Sequence, residues 1–181
     1  EIHDGWVKSE GWRDHMLRPG SDNTDYPSAE AAATDIFKSL TTSLQAILEA
    51  QIRPLAGEDK DKKPKASSQA YHRLGLSRDY LLAGIKACHA LYGAAGLPGY
   101  LDAGDTEQKK LLDMVETAFT QAEHLMSSKA WDDAGRADGD DSSRMPVRAA
   151  ASMLGGARRI IATKIADAAE ITLGFNELDG D

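Results

Sequence analysis

Four stretches of this chain carry apolar residues at the spacing of an α-helix, and almost nothing in it reads as a strand. From about Ser28 to Ile52, Ala33, Ile36, Phe37, Leu40, Leu44, Ile47 and Ile52 share one stripe. Ser28 or Pro27 is placed to start that helix, and Pro54 is expected to end it. From about Ser77 to Ala95, Leu81, Ile85, Cys88 and Tyr92 line up, and Gly96-Leu97-Pro98-Gly99 stops the run. A third helix opens at Asp105 or Thr106, where Asp105 and Gln108 have the spacing of a capping box, and its buried face is Leu111, Val115, Ala118, Ala122 and Leu125. The fourth runs from about Pro146 to Leu173 through Val147, Ala151, Leu154, Ile161, Ile165 and Ala169. Four helices with one apolar stripe each can bury those stripes only against one another. The expected fold is therefore all-α, an antiparallel four-helix-bundle-like domain with irregular loops.

Three segments interrupt the helices. Residues Glu58 to Lys65 contain no apolar side chain and read as a solvated loop. Lys129 to Arg144 is rich in Asp, Gly and Ser, with Trp131 as its expected anchor. Residues 1–27 hold Trp6 and Trp12 but no strong stripe, so they are expected to wrap the bundle formed by 28–173.

Composition narrows the partners. The chain is long enough for one domain, and 41% apolar residues suffice to fill its core. A net charge of −8 argues against nucleic acid and anionic membrane surfaces as partners. No apolar run approaches the ~20 residues of a membrane span. The one cysteine, Cys88, lies in an apolar stripe and reads as a small buried hydrophobe.

The last nine residues are the most distinctive. Leu173-Gly174-Phe175-Asn176-Glu177-Leu178-Asp179-Gly180-Asp181 follow the fourth helix, with Gly174 suited to the left-handed conformation that closes a helix. Phe175 and Leu178 give this polar tail two apolar anchors, so 174–181 is expected to fold back onto the bundle. The pattern resembles the closing GFNxxDGD signature of the imelysin family, bacterial envelope proteins that are also catalogued as candidate metallopeptidases. Trp6 and Trp12, the Pro19-to-Pro27 turn segment, the Arg53-Pro54-Leu55-Ala56-Gly57 break and the Ser68–Arg78 stretch follow the order of that family's second portion. The resemblance covers essentially the whole chain. It implies that Gly174, Phe175, Asn176, Asp179, Gly180 and Asp181 are signature residues with a structural role. It also implies an iron-regulated protein of the periplasm or cell envelope that handles iron or another divalent metal. The family's GxHxxE hallmark has no counterpart, since no His-x-x-Glu occurs in this sequence. The chain thus looks like the C-terminal part of a longer protein, non-catalytic by itself, with no cofactor of its own. Its expected partners are the N-terminal portion of the same protein or a second copy. A metallopeptidase whose metal site lies in that other portion, and a plain helical interaction module, are the alternative readings.

Few residues here invite chemistry. Asp138, Asp140 and Asp141, beside Asp132 and Asp133, lack the Gly and Glu spacing of an EF-hand and read as a solvated acidic loop. None of the five histidines has an i, i+4 partner for zinc, and His89 reads as the edge of an apolar stripe. No serine has a recognisable His and Asp partnership. Arg158 stands out because, at about 100° per residue, it falls in the middle of the fourth helix's stripe. A guanidinium there must meet a carboxylate or reach a cleft. Gly155 and Gly156, inside the same helix, are expected to mark a close helix approach or a kink. His72, Ser77, Arg78 and Arg158 are the candidate cleft-lining residues, with Ser77 also the expected N-cap of the second helix. No catalytic or metal-ligating residue is assigned.

Overall fold

A computed structural model describes residues 2–56, 66–128, 131 and 141–173. Among them there is no strand; the architecture is all-α. Two short helices, α1 (Ile2–Val7) and α2 (Trp12–Leu17), precede the body. The body is built from α3 (Ala29–Ile47), the single turn α4 (Arg53–Ala56), α5 (Ser77–Ala94), α6 (Thr106–Ser127), α7 (Met145–Ile160) and the short α8 (Ala166–Ala168).

Helices α3, α5, α6 and α7 form a ring in which α3 packs on α5 and α7, and α6 packs on the same two. Their register shows that neighbours run antiparallel. Phe37 of α3 meets Tyr100 just beyond α5, whereas Ile47 lies against Gly84. Arg78 at the start of α5 reaches Met126 at the end of α6, and His89 meets Glu123 and Glu116. Arg158 of α7 reaches Thr41 and Gln45, while Arg148 reaches Ala56. The core inside this ring includes Phe37, Leu40, Leu44, Ile85, Val115, Phe119, Ala122, Met126, Val147 and Leu154, all without exposed surface. Phe119 and Met126 join it although only their neighbours are marked by the α6 stripe. Between α3 and α5 the helices come close at Gly84, where an added Cβ would lie 3.3 Å from Ile47 Cδ1.

The helix starts follow local chemistry. Ser28 Oγ accepts from the Ala31 amide at 3.1 Å, capping α3. Asp105 accepts from the amides of Glu107 and Gln108, capping α6. The capping box is only half made, because Gln108 Oε1 accepts from the Asp102 amide at 2.8 Å instead of reaching back to Asp105. Ser77 is not the cap of α5. That position belongs to Leu76, and the buried Ser77 hydroxyl donates to the Ala70 carbonyl at 2.7 Å.

Pro54 does not end the first long helix. The chain continues from α3 through a π turn, Leu48–Ile52, into α4, and the Arg53 amide donates five residues back to Leu48. A proline ring ordinarily collides with the carbonyl four residues earlier and removes a donor. The wider π turn gives the ring room, and side chains act on the carbonyls around the break. Gln69 Nε2 donates to the Gln51 carbonyl at 2.7 Å, and Arg148 Nε to the Ala56 carbonyl at 2.8 Å.

The last helix also stops differently from expectation. After α7 and a second π turn, Ile161–Ile165, it closes at Glu170, four residues before Gly174. Glu170 adopts φ 59°, its amide donates to Asp167, and the Ile171 amide donates to Ala166 at 2.9 Å. This is a Schellman closure with a glutamate where glycine is favoured. Buried Ile171 holds it in place. Glu170→Gly is expected to raise the unfolding free energy by about 0.5–1 kcal/mol by relieving the left-handed strain, read from urea midpoints.

Within residues 1–27, α1 and α2 pack on each other, and Trp6 and Trp12 remain 46% and 48% exposed. Asn23 ties the following turn together by donating to the His15 and Arg18 carbonyls and accepting from the Asp25 and Tyr26 amides. Tyr26 is buried. Trp131 is buried, as an anchor should be. The expected folded-back tail 174–181, the expected solvated loop 58–65 and the aspartates Asp132, Asp133, Asp138 and Asp140 lie outside the described residues.

Candidate functional site

A groove of 1130 Å³ opens along the outer side of α7, between α3 and α6. Its floor is Ser152, Gly155 and Gly156 of α7, with Arg158 and Arg159 at one end. One wall carries Leu48 and Glu49 of the π turn with Arg53; the other carries Lys110, Asp113 and Met114 of α6. Glu49 and Arg53 form an exposed i, i+4 ion pair, which contributes about 0.3–0.5 kcal/mol.

The half-buried Arg158 resolves into a tie between two helices. Its Nε donates to the Thr41 carbonyl at 3.2 Å and its Nη2 to Gln45 Oε1 at 2.9 Å, both on α3. The Thr41 hydroxyl turns back to the Phe37 carbonyl at 2.9 Å. Arg158 therefore satisfies acceptors on α3 while its side chain borders the groove. Of the two options open to an arginine on an apolar stripe, the cleft is realised, and the oxygens it meets on α3 are a carbonyl and an amide oxygen where a carboxylate was expected.

The adjacent glycines are not explained by packing. A Cβ on Gly155 would touch only Leu48 Cδ1, at 4.0 Å, and one on Gly156 would meet nothing within 4 Å. The expected close approach is found at Gly84 instead. Since glycine costs about 1 kcal/mol relative to alanine inside a helix, Gly155→Ala and Gly156→Ala are each expected to raise stability by about 0.5–1 kcal/mol in thermal or urea unfolding.

The other candidates do not join Arg158. His72 sits exposed on a short 3₁₀ turn, His72–Leu74. Ser77 is buried against Ala70. Arg78 Nε donates to the Met126 carbonyl at 2.6 Å, satisfying an acceptor in the last turn of α6. None of the three lines the groove. Among the described residues, no group of three or more His, Cys, Asp or Glu is arranged to hold a metal ion. Burial pushes the Cys88 thiol up to about 11, in keeping with a buried small hydrophobe.

A second cluster, at the seam of α5 and α6, is invisible in the one-dimensional pattern. His89 Nδ1 lies 2.7 Å from Glu123 Oε1 and its Nε2 lies 3.1 Å from Glu116 Oε1. The ring stacks on Phe119 with centroids 4.8 Å apart and planes at 5°. Tyr92 lies one turn on, also against Phe119, and its hydroxyl is pushed up to about 12 by burial and then by Glu116. Glu116 and Glu123 are seven residues apart on α6, the spacing of one helix face, which is the only sequence signal for this arrangement. Comparison of the chain with protein-family models, curated proteins and solved structures finds no match.

Proposed function

We propose that this chain is the non-catalytic helical part of an imelysin-like envelope protein that takes part in iron or metal uptake, and that the groove beside Arg158 is the face it presents to the rest of that protein. The observation that carries the reading is the closing Gly174-Phe175-Asn176 and Asp179-Gly180-Asp181 pattern after a long helix. An all-helical body is compatible with it. The groove supports the second half, since its floor carries two helix-interior glycines that the domain's own packing does not use. In this reading the metal is held by a GxHxxE segment outside the present sequence, and a bound iron would be cargo of the whole protein.

The test is made on the full-length protein isolated from its native cells. The reading expects it in the envelope fraction, with iron measurable by elemental analysis and a GxHxxE segment encoded before Glu1. Cleavage of a generic protein substrate that stops on chelation would overturn the non-catalytic assignment in favour of the metallopeptidase. Recovery of the protein without metal and outside the envelope would leave the helical interaction module as the surviving reading. Arg158→Met separates the two parts of the groove argument. Weaker association with the remaining protein at unchanged stability supports a contact role, whereas lost stability alone assigns Arg158 to the α3–α7 tie.

A further inference from the structure

We propose that His89, clasped between Glu116 and Glu123, is a proton lock that holds α5 on α6 and slackens as the pH rises. This goes beyond the envelope reading and does not depend on it.

The geometry demands a charged ring. A neutral imidazole has one N–H and one lone pair, so it can donate to one acceptor only. Here both ring nitrogens face carboxylate oxygens, at 2.7 and 3.1 Å, and carboxylates do not donate when ionised. Only the imidazolium satisfies both contacts. The face of Phe119 stacked on the ring favours the same cation. When the proton leaves, the remaining N–H stays with one glutamate, and a lone pair is set against the other.

From α6 the charged groups facing His89 are Glu116 and Glu123. On α5 itself the titratable groups one turn away are Lys86 and Tyr92. The ion pairs of His89 among the described residues both come from α6. The side chain keeps 26% of its surface exposed, so solvent protons reach it without unfolding. Partial burial lowers its proton affinity, but the hydrogen bonds and charges of Glu123 and Glu116 outweigh burial and raise the pKa above the ordinary 6.5. With the folded value raised, the lock's contribution is complete below the unfolded value of about 6.5 and is lost as pH rises through the folded value.

The test is an NMR titration of the imidazole resonances of the whole chain from about pH 5 to about pH 9, with His89 assigned by the signal missing in His89→Gln. The expected midpoint for His89 lies above 6.5. In Glu116→Gln/Glu123→Gln it falls, because the two anions that offset burial are gone. Unfolding measured across the same range gives an independent check. Each unit by which the midpoint exceeds 6.5 corresponds to a tenfold pH-dependent rise in the unfolding constant, and that rise disappears in both variants. Amide exchange at the α5–α6 seam, corrected for intrinsic rates, is expected to quicken with pH in the parent and not in His89→Gln. A parent midpoint at or below 6.5, or an unfolding curve whose pH dependence survives both variants, overturns the lock.

Discussion

Truncating Phe119 to alanine is expected to cost the domain about 3–5 kcal/mol of unfolding free energy. Phe119 has no exposed surface and lies where α5 meets α6, stacked on His89 and tilted 36° against Tyr92 at 5.9 Å. Removing the ring forfeits its transfer free energy and leaves a void that two helices held by neighbouring contacts close only in part. It also takes away the aromatic face beneath the His89 ring. The variant should therefore shift the His89 titration midpoint downward as well as destabilise the fold. A denaturant midpoint that falls with an unchanged slope is the expected signature. For a domain whose total stability is about 5–15 kcal/mol, that is a large share. A loss below about 1 kcal/mol would mean that the seam is not packed as described.

The second large effect is expected at Leu154, where alanine should cost about 3–5 kcal/mol. Leu154 sits on the inner face of α7, fully buried, and α7 packs on α6, α3 and α4. No single neighbour can shift to fill the space without disturbing another. One residue further on, Gly155 faces the open groove, and its replacement by alanine is expected to change stability in the opposite direction. The pair makes a sharp control within one helical turn. The loss at Leu154 reflects its burial, and the gain at Gly155 reflects a helix propensity that the open groove leaves unopposed. Equal signs would contradict the orientation of α7 in the ring.

Much of this fold is legible in the chain before any coordinates. Phe37, Leu40 and Leu44, then Leu81, Ile85, Cys88 and Tyr92, then Val115, Ala118 and Ala122 fall on stripes at the helical period, and all are buried. Periodicity reports which face of a helix leaves water, because burial of apolar surface dominates the choice. The caps at Ser28 and Asp105 were legible for a related reason, since a side-chain acceptor and its amides lie within three residues of each other. Where the structure differs from the pattern, local rules are overruled from a distance. Pro54 reads as a stop until Gln69 and Arg148, remote in sequence, supply donors to carbonyls around it. Glu170 does not look like a helix end, yet buried Ile171 holds it in the left-handed region at φ 59°.

The candidate site was less legible than the core. Arg158 could be singled out because a cation on an apolar stripe is costly anywhere. Its partners could not, for Thr41 and Gln45 lie 117 and 113 residues away. His72, Ser77 and Arg78 were grouped by closeness along the chain and by resemblance, and the fold sends their side chains to separate tasks. The place of His89 is not legible along the chain, because it depends on two glutamates from another helix.

By itself, then, the order of residues determined that this chain is helical, which faces its helices bury, and where two of them begin. Those properties rest on interactions spanning one or two turns. Tertiary structure alone decided that a helix runs on through Pro54, that two glycines of α7 border a groove, and that one histidine is bracketed by two carboxylates. Each of these depends on the angle at which separate helices meet, and that angle is set by the packing of all four at once.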